Sequence, residues 1–158
     1  MASQSPHSWA FSSRSAADTA ALAAAVAGLL RVGDVVELEG DLGSGKTTFV
    51  QAAARALGVT APVTSPTYTI GALHPSPRGR VAHLDLYRST GLTIEEWADL
   101  EPYFDDTIAF VEWPAAGRGV LPPARVLVDL RHQGGNARLI TLVCNDADLL
   151  DAVARSLA

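Results

Sequence analysis

The chain has 158 residues, of which 48% are hydrophobic and 18% charged, so it can build a core and is not a wholly disordered protein. This length suits a single domain over residues 1–158. Seventeen acidic residues against twelve basic ones give a formal net charge of −5, which argues against binding nucleic acid unaided. The single cysteine excludes an internal disulfide and a cysteine metal site.

Neither a signal peptide nor a membrane span is indicated. The first residues lack the layout of a charged segment followed by an apolar one that signal peptides share. The longest apolar stretch, Ala20–Leu30, is too short to cross a bilayer. We therefore expect a cytoplasmic chain without a membrane partner.

The first part of the chain predicts two strand–helix units. Ser8–Ser13 is typical of an edge strand, and an alanine-rich helix should follow Ser15, whose hydroxyl can cap it. Asp34–Gly40 has the alternating, β-branched pattern of a strand. After a glycine loop, Lys46–Leu57 shows one apolar helical face, and Gly58 is a natural stop.

The rest of the chain predicts five strands, two helices and two loops. The strand-like segments are Thr69–Leu73, Val81–Tyr87, Thr107–Val111, Val126–Leu130 and Leu139–Cys144. The helices are Thr93–Leu100 and Asp146–Leu157, and the loops are Thr60–Pro66 and Pro114–Pro123. The last two strands flank a glycine pair typical of a hairpin. This order predicts an α/β fold: a mostly parallel sheet flanked by helices, with a C-terminal antiparallel hairpin.

The strongest motif is the glycine loop Gly40-Asp41-Leu42-Gly43-Ser44-Gly45-Lys46-Thr47, which matches the phosphate-binding pattern G-x-x-x-x-G-K-[ST]. Its glycines allow several backbone N–H groups to turn toward one anion. Lys46 would reach the β- and γ-phosphates, and the Thr47 hydroxyl would bind Mg²⁺. The alternative is a glycine-rich turn that only caps a helix. The strand before the motif and the helix after it favour a nucleoside triphosphate site of the P-loop type.

Two acids are candidates for the metal side of such a site. Glu112 follows the apolar run Thr107–Val111, and Asp85 lies in a predicted strand on the same face as His83. The alternatives are a solvated loop acid for Glu112 and a surface His83–Asp85 pair. The hydroxyl-rich loop that ends at Thr67 could be a switch ordered by the γ-phosphate, or a simple turn.

Near the C-terminus, Asn145-Asp-Ala-Asp148 has the N-x-x-D spacing of guanine-recognition loops, but it lacks the intervening lysine. A simpler interpretation is that Asn145 caps the last helix. Guanine specificity is therefore not favoured.

Four motifs together resemble the TsaE family of small bacterial ATPases, formerly called YjeE. They are Gly40–Thr48, Ser65–Tyr68, His83–Arg88 and Val111–Pro114, and Gly119–Pro122 follows them. The resemblance implies an ATP- and Mg²⁺-dependent role in making threonylcarbamoyladenosine beside the anticodon of tRNA. It also implies TsaD-like and TsaB-like partners, with tRNA contacted only through them. ATP hydrolysis would reset the complex between turnovers.

Carried over by position, the resemblance implies that Lys46 and Thr47 bind phosphate and metal and that Glu112 is the metal-side acid. Asp85 would be the second acid needed for hydrolysis, and Thr67 would lie in the switch-like loop. Trp113 and Arg88 also match the family motifs, without an assigned role. Two other functions remain open on the same loop: a small-molecule kinase, and a module that holds nucleotide without hydrolysing it.

Overall fold

The computed structural model describes residues 5–66 and 70–158, in which seven strands form one sheet. The strands are β1 (His7–Ser13), β2 (Val35–Glu39), β3 (Gly71–His74), β4 (Arg80–Asp85), β5 (Thr107–Glu112), β6 (Val126–His132) and β7 (Arg138–Cys144). The helices are α1 (Ala16–Ala27), α2 (Lys46–Ala56), α3 (Ile94–Leu100) and α4 (Ala147–Ser156). Two 3₁₀ turns lie at Glu101–Phe104 and Pro114–Gly117.

The strands are arranged in the order β1-β7-β6-β2-β5-β4-β3. Strands β6, β2, β5 and β4 pair in parallel, whereas β3 and β7 run against their neighbours. Strand β1 pairs antiparallel with β7 and so points the same way as the parallel group. The predicted α/β fold with a mostly parallel sheet and a C-terminal hairpin is therefore confirmed.

Apolar side chains cover both faces of the sheet centre. Along β5, Ile108 and Phe110 pack into the core shared with α1, α2 and α4, while Ala109 and Val111 pack with Leu100 on the opposite face. A strand covered on both sides has no solvated face, which explains its unbroken apolar sequence. The same packing determines on which face of the sheet each side chain at the carboxyl end of β5 lies.

Strand β4 ends two residues earlier than the sequence predicts. The last backbone bond to β5 runs from the Leu86 N–H to the Glu112 carbonyl at 3.0 Å, and the Tyr87 N–H then donates to the Asp85 carboxylate at 2.9 Å in a local side-chain turn. The predicted strand over Thr69–Leu73 is observed at Gly71–His74, and Thr69 lies outside the described residues. The predicted loop over Pro114–Pro123 opens with a 3₁₀ turn.

The predicted cap of the last helix is wrong by one residue. The Asp146 carboxylate, not the Asn145 side chain, accepts the N–H groups of Asp148 and Leu149, at 3.1 and 3.3 Å. Asp146 also pairs with Arg125 at 3.2 Å. A carboxylate satisfies two helix-end donors and also attracts the guanidinium, so it competes well for this position.

No helix in residues 5–66 or 70–158 is long and apolar enough to cross a membrane.

The cap assignment can be tested by stability measurements. Asp146→Ala removes the acceptor for two helix-end amides and should lower the free energy of unfolding by about 1–2 kcal/mol. Asn145→Ala, one residue earlier and exposed, should change it by less than about 0.5 kcal/mol. Urea unfolding followed by circular dichroism would measure both variants. Equal losses would contradict the assignment.

Candidate functional site

The candidate site lies at the carboxyl ends of β2, β5 and β4, the edge where open parallel sheets bind ligands. The glycine loop follows β2, Glu112 ends β5 and Asp85 ends β4. Asp85 and Glu112 are register partners, so their side chains leave the sheet on the same face. A cavity of about 650 Å³ opens there, and both acids line it.

Most of the predicted nucleotide-binding residues line this cavity. They are Leu42, Gly43, Gly45, Lys46, Thr47 and Thr48. Gly40, Asp41 and Ser44 belong to the same loop but are not among the described residues that line it. The predicted switch residue Thr67 lies outside the described residues, although Ser65 and Pro66 just before it do line the cavity.

The backbone of the loop requires glycine at two positions. Gly40 has a φ of +147°, and a Cβ there would lie 2.5 Å from the carbonyl oxygen of Leu130. Gly45 has a φ of +102° and precedes α2 without a side-chain cap in the described structure. The first amides of α2 are therefore available to an anion, and the helix dipole favours negative charge at that end.

Lys46 is buried, and its ammonium group lies across the loop. The Nζ atom donates to the carbonyl oxygens of Gly40 at 2.6 Å and Asp41 at 2.9 Å, and lies 4.1 Å from the ring centroid of Trp113. Burial lowers the pKa of Lys46 from its usual 10.5, while the carboxylates of Glu112, Asp85 and Asp41 oppose that shift. The carbonyl oxygens and the ring face also stabilise the charged form.

The Thr47 hydroxyl and the Glu112 carboxylate are in direct contact. Thr47 Oγ1 donates to Glu112 Oε1 at 2.9 Å, and lies 3.1 Å from Oε2. Only 2% of Glu112 is exposed, so its alternative interpretation as a solvated loop acid is wrong. The contact joins the first turn of α2 to the end of β5, as the predicted metal site requires.

These oxygen atoms suit Mg²⁺. A hydroxyl and a carboxylate are hard donors, and Mg²⁺ commonly binds one or two protein oxygens while phosphates and waters complete its shell. In the described part of the chain no cluster of three or more acidic, histidine or cysteine side chains could hold a metal alone. The donor set therefore fits an ion that arrives with a triphosphate.

Asp85 lies beside this pair, with both carboxylate oxygens in contact with described residues. Its Oδ2 accepts from Ser65 Oγ at 3.2 Å, and its Oδ1 accepts the Tyr87 backbone N–H. Ser65 belongs to the hydroxyl-rich segment predicted as a switch. Asp85 thus connects that segment to the cavity.

The chain is also similar in sequence and in fold to known proteins. The family model described as "Threonylcarbamoyl adenosine biosynthesis protein TsaE" matches residues 13–140. This chain belongs to the TsaE family.

Individual TsaE relatives give the same result. The Streptomyces coelicolor tRNA threonylcarbamoyladenosine biosynthesis protein TsaE is 45% identical over 91 residues, which is 56% of this chain and 62% of the relative. The Treponema pallidum protein of the same name is 37% identical over 82% of this chain and 96% of its own. The crystal structure of Bacillus subtilis YdiB superimposes with a TM-score of 0.79 at 29% identity, covering 97% and 98% of the two chains.

Two aromatic residues of the TsaE motifs form one wall of the site. Trp113 packs on Tyr87 with ring centroids 4.8 Å apart, and the Lys46 Nζ atom lies 4.1 Å from the centroid of its ring. Arg88, whose role the sequence left unassigned, is exposed and lines the cavity. Trp113 therefore contacts the lysine of the glycine loop, and the exposed Arg88 lines the same cavity.

Arg138 is a site residue that sequence reasoning missed. From β7, its Nε donates to the Ser44 carbonyl at 3.0 Å and its Nη2 lies 3.4 Å from the Gly43 carbonyl. The side chain also lines the cavity. No motif contains it, since it lies 94 residues after Ser44 and only the β6–β7 hairpin brings it to the loop.

The contacts of Arg138 with the loop carbonyls predict that replacing this residue weakens nucleotide binding. Arg138→Ala removes two donors that hold the loop carbonyls and should weaken binding of a fluorescent ATP analogue by about 3- to 10-fold, given about 1 kcal/mol for such bonds. Arg131→Ala is the matched control and should leave the affinity unchanged, because the Arg131 side chain is 72% exposed and pairs with Asp129. Equal affinity in Arg138→Ala and the control would remove this role.

Proposed function

We propose that this TsaE-family chain binds Mg²⁺–ATP in the cavity and hydrolyses it during threonylcarbamoyladenosine modification of tRNA. The observation that carries the proposal is the contact between Thr47 on the phosphate loop and the buried Glu112 carboxylate, with Lys46 beside them. The names of the relatives, which describe tRNA threonylcarbamoyladenosine biosynthesis proteins, support the modification pathway.

Each part of the site has a distinct task in this reaction. The loop amides and Lys46 hold the phosphates, while Thr47 and Glu112 hold the metal side. Bound Mg²⁺ would neutralise charge on the β- and γ-phosphate oxygens. Asp85 would orient the water that attacks the γ-phosphorus as the bond to the bridging oxygen of ADP breaks. The cations Arg88 and Arg138 add positive potential to the same cavity.

The chain would act with TsaD-like and TsaB-like proteins in the cytoplasm. The net charge of −5 disfavours direct tRNA binding, so tRNA would be contacted through these partners. Hydrolysis of ATP would reset the complex between turnovers, and the TsaD-like partner would transfer the threonylcarbamoyl group. The threonylcarbamoyl group would be transferred to tRNA, and ATP would be hydrolysed without phosphorylating a metabolite.

Two substitutions separate binding from hydrolysis. Lys46→Ala should weaken ATP-analogue binding at least about tenfold, because it removes the cation that faces the phosphates. Glu112→Gln should keep binding within a few-fold but reduce phosphate release about 100-fold, since it removes the charge on the metal side. Glu95→Gln, an exposed acid on α3, is the control for Glu112. Wild-type turnover in both site variants would contradict the proposed site.

The partner requirement has its own test. Phosphate release by the purified chain should rise at least about tenfold when TsaD-like and TsaB-like proteins are added together, as expected for a subunit completed by its partners. A pull-down with ATP, ADP and no nucleotide would report association. Failure to associate in every nucleotide state would reject the role in the complex. ATP-dependent phosphorylation of a metabolite would instead favour the kinase.

A further inference from the structure

One buried histidine contacts the candidate site and has no part in the function proposed above. His83 lies on β4 and is completely buried, while its strand neighbours Ala82 and Leu84 are apolar. Its Nε2 lies 2.5 Å from Oε2 of Glu112. Burying an imidazole is costly unless its polar atoms are used, so an apolar residue would serve better if packing were the only requirement.

We propose that His83 is a positioning residue that holds the Glu112 carboxylate against Thr47, and this inference rests on the proposed function. The carboxylate accepts from His83 on one oxygen, and Thr47 Oγ1 lies within 3.1 Å of both oxygens. An ionised carboxylate only accepts, so His83 Nε2 carries the proton. Donors from β4 and α2 therefore fix the side chain from two sides.

The strand register explains how His83 reaches this position. Asp85 and Glu112 are paired across β4 and β5, and His83 lies two residues before Asp85, so all three side chains leave the same face. His83 then reaches Glu112 diagonally from beneath the acids. Its Nδ1 is buried without a hydrogen-bond partner in residues 5–66 and 70–158. Among those residues, the hydrogen bond that the ring makes is therefore the one with Glu112.

Fixing the carboxylate matters because glutamate has three rotatable side-chain bonds. A carboxylate that binds a metal gains affinity when hydrogen bonds outside the metal shell hold it in the binding orientation. Loss of the His83 donor should therefore reduce what Mg²⁺ adds to nucleotide affinity. It should not reduce what the phosphate loop and Lys46 contribute without metal.

The test compares His83→Leu, which keeps an apolar side chain without a donor, with His83→Gln, whose amide can donate to Glu112. The affinity of a fluorescent ATP analogue is measured in EDTA and in Mg²⁺, and the ratio isolates the metal's contribution. We expect His83→Leu to lower the ratio about threefold, within the loss expected for Glu112→Gln itself, and His83→Gln to retain most of it. His74→Leu, on neighbouring β3, is the control and should keep the wild-type ratio.

Equal ratios in wild type and His83→Leu, or equal losses in the Leu and Gln variants, would overturn the proposal. A second measurement, on the wild-type chain, decides the proposal if His83→Leu fails to fold. In the wild-type chain, a ¹⁵N–¹H spectrum should show a protonated His83 Nε2 whose resonance moves in Glu112→Gln. An unprotonated Nε2, or an unmoved resonance, would also overturn it. If wild type bound no nucleotide in either buffer, the proposed function would fail while this spectrum still decided the His83–Glu112 contact.

Discussion

The buried carboxylate of Glu112 sets the main constraint on this molecule. An ionised acid removed from water is stable only when hydrogen bonds and nearby cations compensate for its lost hydration. Here α2 supplies the Thr47 hydroxyl, β4 supplies the His83 ring, and the Lys46 ammonium adds opposite charge. A group that attracts a divalent cation is thereby kept at the end of an otherwise apolar strand.

The sheet order makes this arrangement possible. Strand β2 lies between β6 and β5, so the loop that follows it opens beside the ends of two parallel neighbours. Strand β5 brings Glu112 to the loop, and β4 adds Asp85 and His83 from the far side. The β6–β7 hairpin returns Arg138 to the opposite flank of the loop. The phosphate loop is therefore held from both sides by residues distant in sequence.

Local patterns predicted most of the fold and the centre of the site. The glycine loop is contiguous, and the apolar run before Glu112 indicates a buried strand directly, so both could be read from the chain. Contacts between residues that are distant in sequence could not be predicted in this way. Alternation predicted that His83 and Asp85 share one face of their strand, but it could not show that the buried His83 ring contacts Glu112. Arg138 lies in no local motif, so the sequence did not indicate its contact with the loop. At Asp146, two adjacent polar residues could each cap the helix, and only the backbone geometry decides between them.

Trp113 couples the segment after β5 to the phosphate loop. Its φ of +56° is unusual for a bulky residue, and such a conformation persists only when surrounding contacts enforce it. Its backbone N–H donates to the Leu38 carbonyl at 3.2 Å, while its ring packs between Tyr87 and the Lys46 ammonium. Trp113 thereby joins the segment after β5 to the end of β2 and to the Lys46 side chain of the glycine loop.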